Sequence, residues 1–181
     1  MSTLRPFAAE DLFKFNHINL DPLTETYSVQ FYMQYLATWP GICGSYDDGN
    51  GRMMGYILGK AEGEKKLWHG HVTAVTVSPE YRRLGMASNL MAFLEDVSQE
   101  IYNAYFVDLF VRISNQLAQV MYGALQYTVF RQVCEYYKYY VIGYYSGEED
   151  AYDMRKALKR DIKKESVVPL GRPIKPEELE W

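Results

Sequence analysis

Apolar residues along this chain recur at two spacings, and the places where one gives way to the other outline the elements. The run His71-Val72-Thr73-Ala74-Val75-Thr76-Val77 is rich in β-branched residues and predicts a buried strand across 67–78. Ser78-Pro79 ends it, because proline has no N–H for a strand ladder. Helical spacing follows over 84–101, with Ala87, Leu90, Met91, Leu94, Val97 and Ile101 on one face. Upstream, a short strand at 3–7 precedes a helix starting at Glu10-Asp11 and carrying Leu12, Phe13, Phe15 and Ile18. Asp21-Pro22 makes residues 19–27 a loop, and Ser28 caps a second helix reaching Trp39, with Phe31, Tyr32, Tyr35, Leu36 and Trp39 as its apolar stripe. Residues 41–46 and 52–61 read as a hairpin around Asp47-Asp48-Gly49-Asn50-Gly51.

The second half repeats the alternation. A strand at 105–112, a helix at 114–125, a strand at 127–134, a tyrosine-rich segment at 135–145 and a last strand at 151–158 are predicted. Glu148-Glu149-Asp150 reads as a solvated turn. Residues 159–181 hold three prolines and many charges and read as an extended tail beyond a single 1–158 domain. Strands interleaved with helices give the α/β class.

Composition narrows the possibilities. A length of 181 residues suits one sizeable core, and a net charge of −4 argues against a general surface for nucleic acid or membrane. Cys43 and Cys134 match no metal or redox spacing and read as small apolar residues in a reducing compartment. No run of about 18 apolar residues and no leader pattern is present, so the expected location is the cytosol. Seventeen tyrosines are more than such a core explains.

Candidate chemistry begins where the central strand meets its helix. Arg82-Arg83-Leu84-Gly85-Met86-Ala87 places two arginines and a glycine at a helix start, whose outward N–H groups make an anion site suited to a pyrophosphate. Downstream, Asn115 and Tyr122 stand seven residues apart and so share one helical face. The hexapeptide resembles the acetyl-CoA signature Arg/Gln-x-x-Gly-x-Gly/Ala of the GNAT acetyltransferases. The stretch Asn115-x-x-Ala118-x-x-x-Tyr122-x-x-Leu125-x-Tyr127 resembles that family's second motif, departing from it at Gln126, where glycine is usual. Four further segments, 21–27 (DPLTETY), 68–74 (WHGHVTA), 135–137 (EYY) and 151–158 (AYDMRKAL), are similar to the catalytic subunits of NatB-type N-terminal acetyltransferases.

That resemblance implies a GNAT fold, with a mixed, mostly antiparallel sheet of about seven strands flanked by about four helices. It implies acetyl-CoA as acetyl donor and peptide N-termini starting Met-Asp, Met-Glu, Met-Asn or Met-Gln as acceptors. It also implies a large helical-repeat auxiliary subunit forming a heterodimer, with ribosome association only indirect and no direct nucleic-acid binding. By the same resemblance, Val75, Val77, Arg82, Arg83, Leu84, Gly85, Met86, Ala87, Asn115 and Tyr122 bind the acetyl donor. Leu23, Glu25, Tyr27, His71, Thr73, Ala74, Tyr136 and Tyr137 meet the peptide, while Tyr139, Tyr140, Tyr144 and Tyr145 have no assigned role.

The chemistry asks little of a base. An α-amine with a pKa near 7.7–8.0 is already partly neutral, and a water held by Glu25 or His71 suffices. Tyr122 is the candidate acid for the departing thiolate, and an N–H freed at a strand irregularity near Ala74-Val75 the candidate donor to the developing oxyanion. His71 and Thr73 share strand parity and carry groups that hydrogen-bond a carboxylate or amide. Two histidines, His69 and His71, without an acidic or cysteine partner make a poor metal site, so no metal is expected. Another N-terminal specificity, a lysine or small-amine acetyltransferase, and a non-enzymatic acyl-CoA-binding subunit all stay open. The lysine or small-amine enzyme would need an open groove in place of the loop at 25–27.

Overall fold

The structure is a computed structural model that describes residues 2–22, 24–140 and 149–179. Seven strands form one sheet in the order β1-β2-β3-β4-β5-β7-β6. The strands are β1 (Thr3–Pro6), β2 (Gly44–Asp47), β3 (Met53–Glu62), β4 (His69–Val77), β5 (Phe106–Arg112), β6 (Thr128–Val133) and β7 (Ala151–Ala157). The helices are α1 (Asn16–Asn19), α2 (Val29–Thr38), α3 (Met86–Glu100), α4 (Gln116–Ala124) and α5 (Tyr136–Tyr140), with short 3-10 turns between elements. The chain forms two compact units, Met1–Lys60 with Val72–Ile101 and Ala61–His71 with Tyr102–Trp181. Among the described residues, no helix is long and apolar enough to cross a membrane.

In the first unit, β1 pairs antiparallel with β2 from Thr3↔Asp47 to Pro6↔Gly44, and β2 with β3. The hairpin turn closes because the Asp48 carboxylate accepts from the N–H groups of Asn50 and Arg52, at 2.8 and 2.9 Å. Ser28 caps α2 as its sequence suggests, its Oγ accepting from the Phe31 N–H at 3.3 Å. Leu90, Met91, Leu94 and Val97 of α3 are buried, but Ile101, expected on the same face, lies past the helix end and is exposed. The helix expected from Glu10 is instead a 3-10 turn (Ala9–Phe13) followed by the single turn α1. The cause is Asp11, whose buried carboxylate takes two Arg5 nitrogens at 2.7 and 2.8 Å and the Ala8 N–H at 2.8 Å. That anchor turns Phe15 and Ile18 inward and leaves Phe13 89% exposed. Phe15 then packs edge-on to Tyr32 and tilted against Phe7 and Tyr56.

In the second unit, β7 pairs antiparallel with both β5 and β6, with a register shift in β6 between Val129 and Arg131. Helix α4 ends where the resembled motif has glycine. Gln126 adopts φ +71°, the left-handed conformation that glycine would adopt there. The Gln126 N–H reaches the Gly123 carbonyl and the Tyr127 N–H the Tyr122 carbonyl, both at 3.0 Å, which is a Schellman closure. The turn geometry is therefore kept at the cost of side-chain strain. We expect Gln126→Gly to raise stability by about 1 kcal/mol, since relief of left-handed strain exceeds the entropy cost of glycine. Urea denaturation checks this, and a loss of stability would show that the Gln126 side chain contributes contacts worth more than the strain.

Part of the segment expected as an extended tail lies along β6. Leu170 and Ile174 donate backbone N–H bonds to Phe130 and Gln132 at 2.8 and 2.9 Å, and Cys134 donates to Ile174 at 2.9 Å. Ile174 and Leu179 are buried against Val133, with Phe110 and Tyr136 alongside. Because β6 is the last strand of the sheet, this segment covers an edge that would otherwise offer unpaired backbone groups. The expected solvated turn is likewise tied down. Glu149 accepts from Arg112 at 3.2 Å and from the Ser114 N–H at 2.8 Å, and Asp150 takes Gln132 and the Glu135 N–H. Glu148 lies outside the described residues.

Candidate active site

Helix α3 starts at Gly85, which takes φ +79° as the cap residue, and no side chain caps the first turn. A Cβ at Gly85 would meet nothing within 4 Å, so the space in front of that turn is open. Arg83 is also left-handed, at φ +66°. Successive N–H groups in such a turn converge on one point and suit an anion, as a pyrophosphate requires. Leu84 is exposed, Val75 and Ala87 are half-buried, and Val77 and Met86 turn their side chains into the core. Val77 and Met86 can therefore offer a ligand little beyond their backbone. Arg82 is braced, its Nε donating to the Val77 carbonyl at 3.1 Å and its Nη2 lying 3.1 Å from Asp21 Oδ1.

The same unit fixes the loop before α2. Thr24 Oγ1 bonds Thr76 Oγ1 at 2.8 Å, and the Tyr27 hydroxyl donates to the Thr73 carbonyl at 3.3 Å. Tyr35 and Thr73 share a hydroxyl bond at 2.9 Å, and the Tyr27 ring stacks on Phe31 at 4.3 Å. The loop is thus stitched onto β4. Glu25 sits in it half-buried, and Ala74 is half-buried on the strand. Leu23 lies outside the described residues. Strand β4 runs without a break from His69 to Val77, so the irregularity expected near Ala74-Val75 does not interrupt it.

In the second unit, the Asn115 Oδ1 accepts from the Ala118 N–H at 3.1 Å and so starts α4. Two turns on, Tyr122 is buried, and desolvation pushes its phenol up to about 12. A tyrosine so placed stays protonated across the physiological range, as a donor must. The Tyr136 ring stacks on Phe110 at 4.4 Å, and Arg112 lies 3.7 Å over the Tyr137 ring. Both tyrosines are therefore held by β5. The side chains of Tyr139 and Tyr140, and all of Tyr144 and Tyr145, lie outside the described set.

His71 is buried, and its Nδ1 is 2.7 Å from Asp108 Oδ1. His69 is also buried, stacked on Phe106 at 4.7 Å, with Nε2 3.4 Å from Asp108 and 3.8 Å from Glu62. This corrects the reading that the two histidines have no acidic partner, since both Asp108 and Glu62 stand beside them. Glu62, His69 and His71 bring potential ligand atoms within 4.8 Å of one another. Burial alone would push the Asp108 carboxyl up, but His69, His71 and Arg155 outweigh it and hold it well below the usual range. Neither acid was singled out in the sequence. The available signal was Asp108 itself, a lone charge in the apolar run Phe106-Val107-Asp108-Leu109-Phe110.

The cysteines are poorly suited to nucleophilic attack. Cys43 is buried with Sγ 3.7 Å from the Gly59 carbonyl, and burial pushes its thiol up to about 11. The Cys134 thiol is raised as well, by desolvation and then by Asp150 and Glu135. Direct transfer is the route these sites favour.

The fold and these two constellations define an acyl-group transferase. A family model described as Acetyltransferase (GNAT) family matches residues 9–127, and the chain belongs to that family. It is 57% identical to N-alpha-acetyltransferase 20 of Dictyostelium discoideum, over 97% of each chain. It is 55% identical to the N-terminal acetyltransferase B complex catalytic subunit NAA20 of Arabidopsis thaliana, over 100% of this chain and 99% of that one. Among solved structures, Naa20 of Chaetomium thermophilum, in complex with a bisubstrate analogue, superposes with a TM-score of 0.87 at 41% identity, over 97% of each chain.

Proposed function

We propose that the chain transfers the acetyl group of acetyl-CoA to the N-terminal amine of polypeptides starting Met-Asp, Met-Glu, Met-Asn or Met-Gln, as catalytic subunit of a NatB-type complex. The observation that carries the peptide reading is the loop at 24–27 bonded onto β4 through Thr24–Thr76 and Tyr27–Thr73. It occupies the place where a lysine or small-amine enzyme would need an open groove. The Gly85 turn and Arg83 receive the pyrophosphate of the donor, and Arg82 braces that turn against Asp21. Asn115 holds the start of α4 and with it the position of Tyr122.

Transfer then needs three things from the protein. Glu25, through a water, takes the proton of an amine that is already partly neutral. A β4 N–H near Ala74-Val75 supports the oxyanion. Tyr122 donates to the leaving sulfur. A phenol near 12 is a weak acid for a thiol of about 8.5 in water, but desolvation raises a buried thiolate too and narrows the gap. Thr73, Ala74, Tyr136 and Tyr137 hold the peptide, and His71 meets its second side chain.

Of the early apolar groups, Phe15, Ile18, Tyr32 and Tyr35 are buried, whereas Phe13, Leu20, Val29 and Met33 are exposed. These four form the contact for an auxiliary helical-repeat subunit. The heterodimer works in the cytoplasm and reaches the ribosome only through that partner. A peptide panel tests the substrate reading. Met-Asp and Met-Glu peptides should react best and Met-Asn and Met-Gln next, with Ser-Ala and Met-Leu slower by about tenfold or more. A preference for Ser-Ala or Met-Leu would refute the NatB assignment.

A further inference from the structure

The His71 ring has one nitrogen already committed. Asp108 is buried and ionised, so it can only accept, and the 2.7 Å contact therefore places a proton on His71 Nδ1. The other nitrogen, Nε2, is what the ring has left to offer. His69 is fixed by the same logic. Its Nδ1 lies 2.6 Å from the Leu67 carbonyl, which also only accepts, so this nitrogen too carries a proton. The His69 Nε2 then points at Asp108 and Glu62, at 3.4 and 3.8 Å, and makes no hydrogen bond among the described residues. On the far side, Arg155 lies 4.6 Å over the Phe106 ring and pairs with Asp153, to which Arg131 also binds at 2.8 Å. Asp108 thus sits buried beside His69, His71 and Arg155, which outweigh its burial and keep it an acceptor.

We propose that Asp108 is a positioning residue for peptide selection: it fixes His71 with Nδ1–H inward, so that Nε2 alone meets the peptide's second side chain. The proposal rests on the reading that His71 faces that side chain, and it deepens it. A ring held this way accepts from an amide N–H through Nε2, or donates to a carboxylate when a second proton is present. One residue then serves both Asn or Gln and Asp or Glu without moving. An aliphatic side chain leaves Nε2 unpaired and is rejected.

The experiment compares Asp108→Asn, His71→Ala and the double variant, in the full chain assembled with its auxiliary subunit, on Met-Asp, Met-Asn and Met-Leu peptides. Asp108→Asn should lower the kcat/KM ratio of Met-Asp to Met-Leu by about tenfold, with most of the loss in peptide KM. The double variant should fall no further than His71→Ala alone, because the two residues act as one unit. If His71→Ala leaves the ratio intact, the reading of His71 is wrong. If His71→Ala collapses the ratio and Asp108→Asn does not, only the role of Asp108 is wrong. Nitrogen NMR of the unmodified protein gives a readout that survives a misfolded variant, and it should show His71 protonated at Nδ1. A neutral ring protonated only at Nε2 would overturn the proposal, as would a stoichiometric metal ion held by Glu62, His69 and His71.

Discussion

Tyr122→Phe should lower kcat by about 10²–10⁴-fold with little change in peptide KM, because a proton donor acts mainly in the transition state. The substitution removes one oxygen from a buried ring, so the packing of α4 against Tyr127, ring to ring at 6.1 Å, is kept. The environment adds a second expectation. Desolvation moves the phenol from an ordinary value of 10 up to about 12, so its protonated form persists two units further into alkali. With the amine titrating near 7.7–8.0, kcat/KM should rise through that range and then stay level to about pH 10. Rates near normal in the variant would remove Tyr122 from the donor role. A fall already complete by pH 10 would mean that the essential acid is some other group.

Gly85→Val should weaken acetyl-CoA binding by roughly tenfold to a hundredfold, the range expected when N–H bonds to a charged group are blocked. Two effects combine. A β-branched residue resists φ +79°, and its side chain would fill the open space before the first turn of α3. Gly51→Val separates them, since Gly51 has the same φ of +79° and equally open surroundings, but lies in the β2–β3 hairpin. Calorimetry should show both variants losing stability and only the Gly85 variant losing affinity. Equal affinity in the two would place the donor elsewhere.

The strands and the two long helices were legible because their patterns are local. The β-branched run of β4, the Ser28 cap and the four-residue spacing from Leu90 to Leu94 each depend on neighbours in sequence. What the sequence hid depends on distant partners. The broken first helix follows from Arg5 reaching Asp11, and no helical periodicity reports an ion pair. The docking of Ile174 depends on β6 being the sheet's edge, a property of topology and not of residues 159–179 themselves. The candidate site divides in the same way. Gly85, Asn115 and Tyr122 were visible as spacings, whereas the Asp108–His71 pair joins positions 37 residues apart. Gln126 shows the opposite case, where a departure from the usual glycine changed the strain and left the turn intact.

The most direct test uses one peptide that begins Met-Asp and carries a lysine further along, incubated with acetyl-CoA and the full chain with its auxiliary subunit. Tandem mass spectrometry then locates the acetyl group. The account predicts a single acetyl on the α-amine of methionine and an unmodified lysine. Acetyl on the lysine side chain, or on neither amine while free lysine or polyamines react, would contradict it.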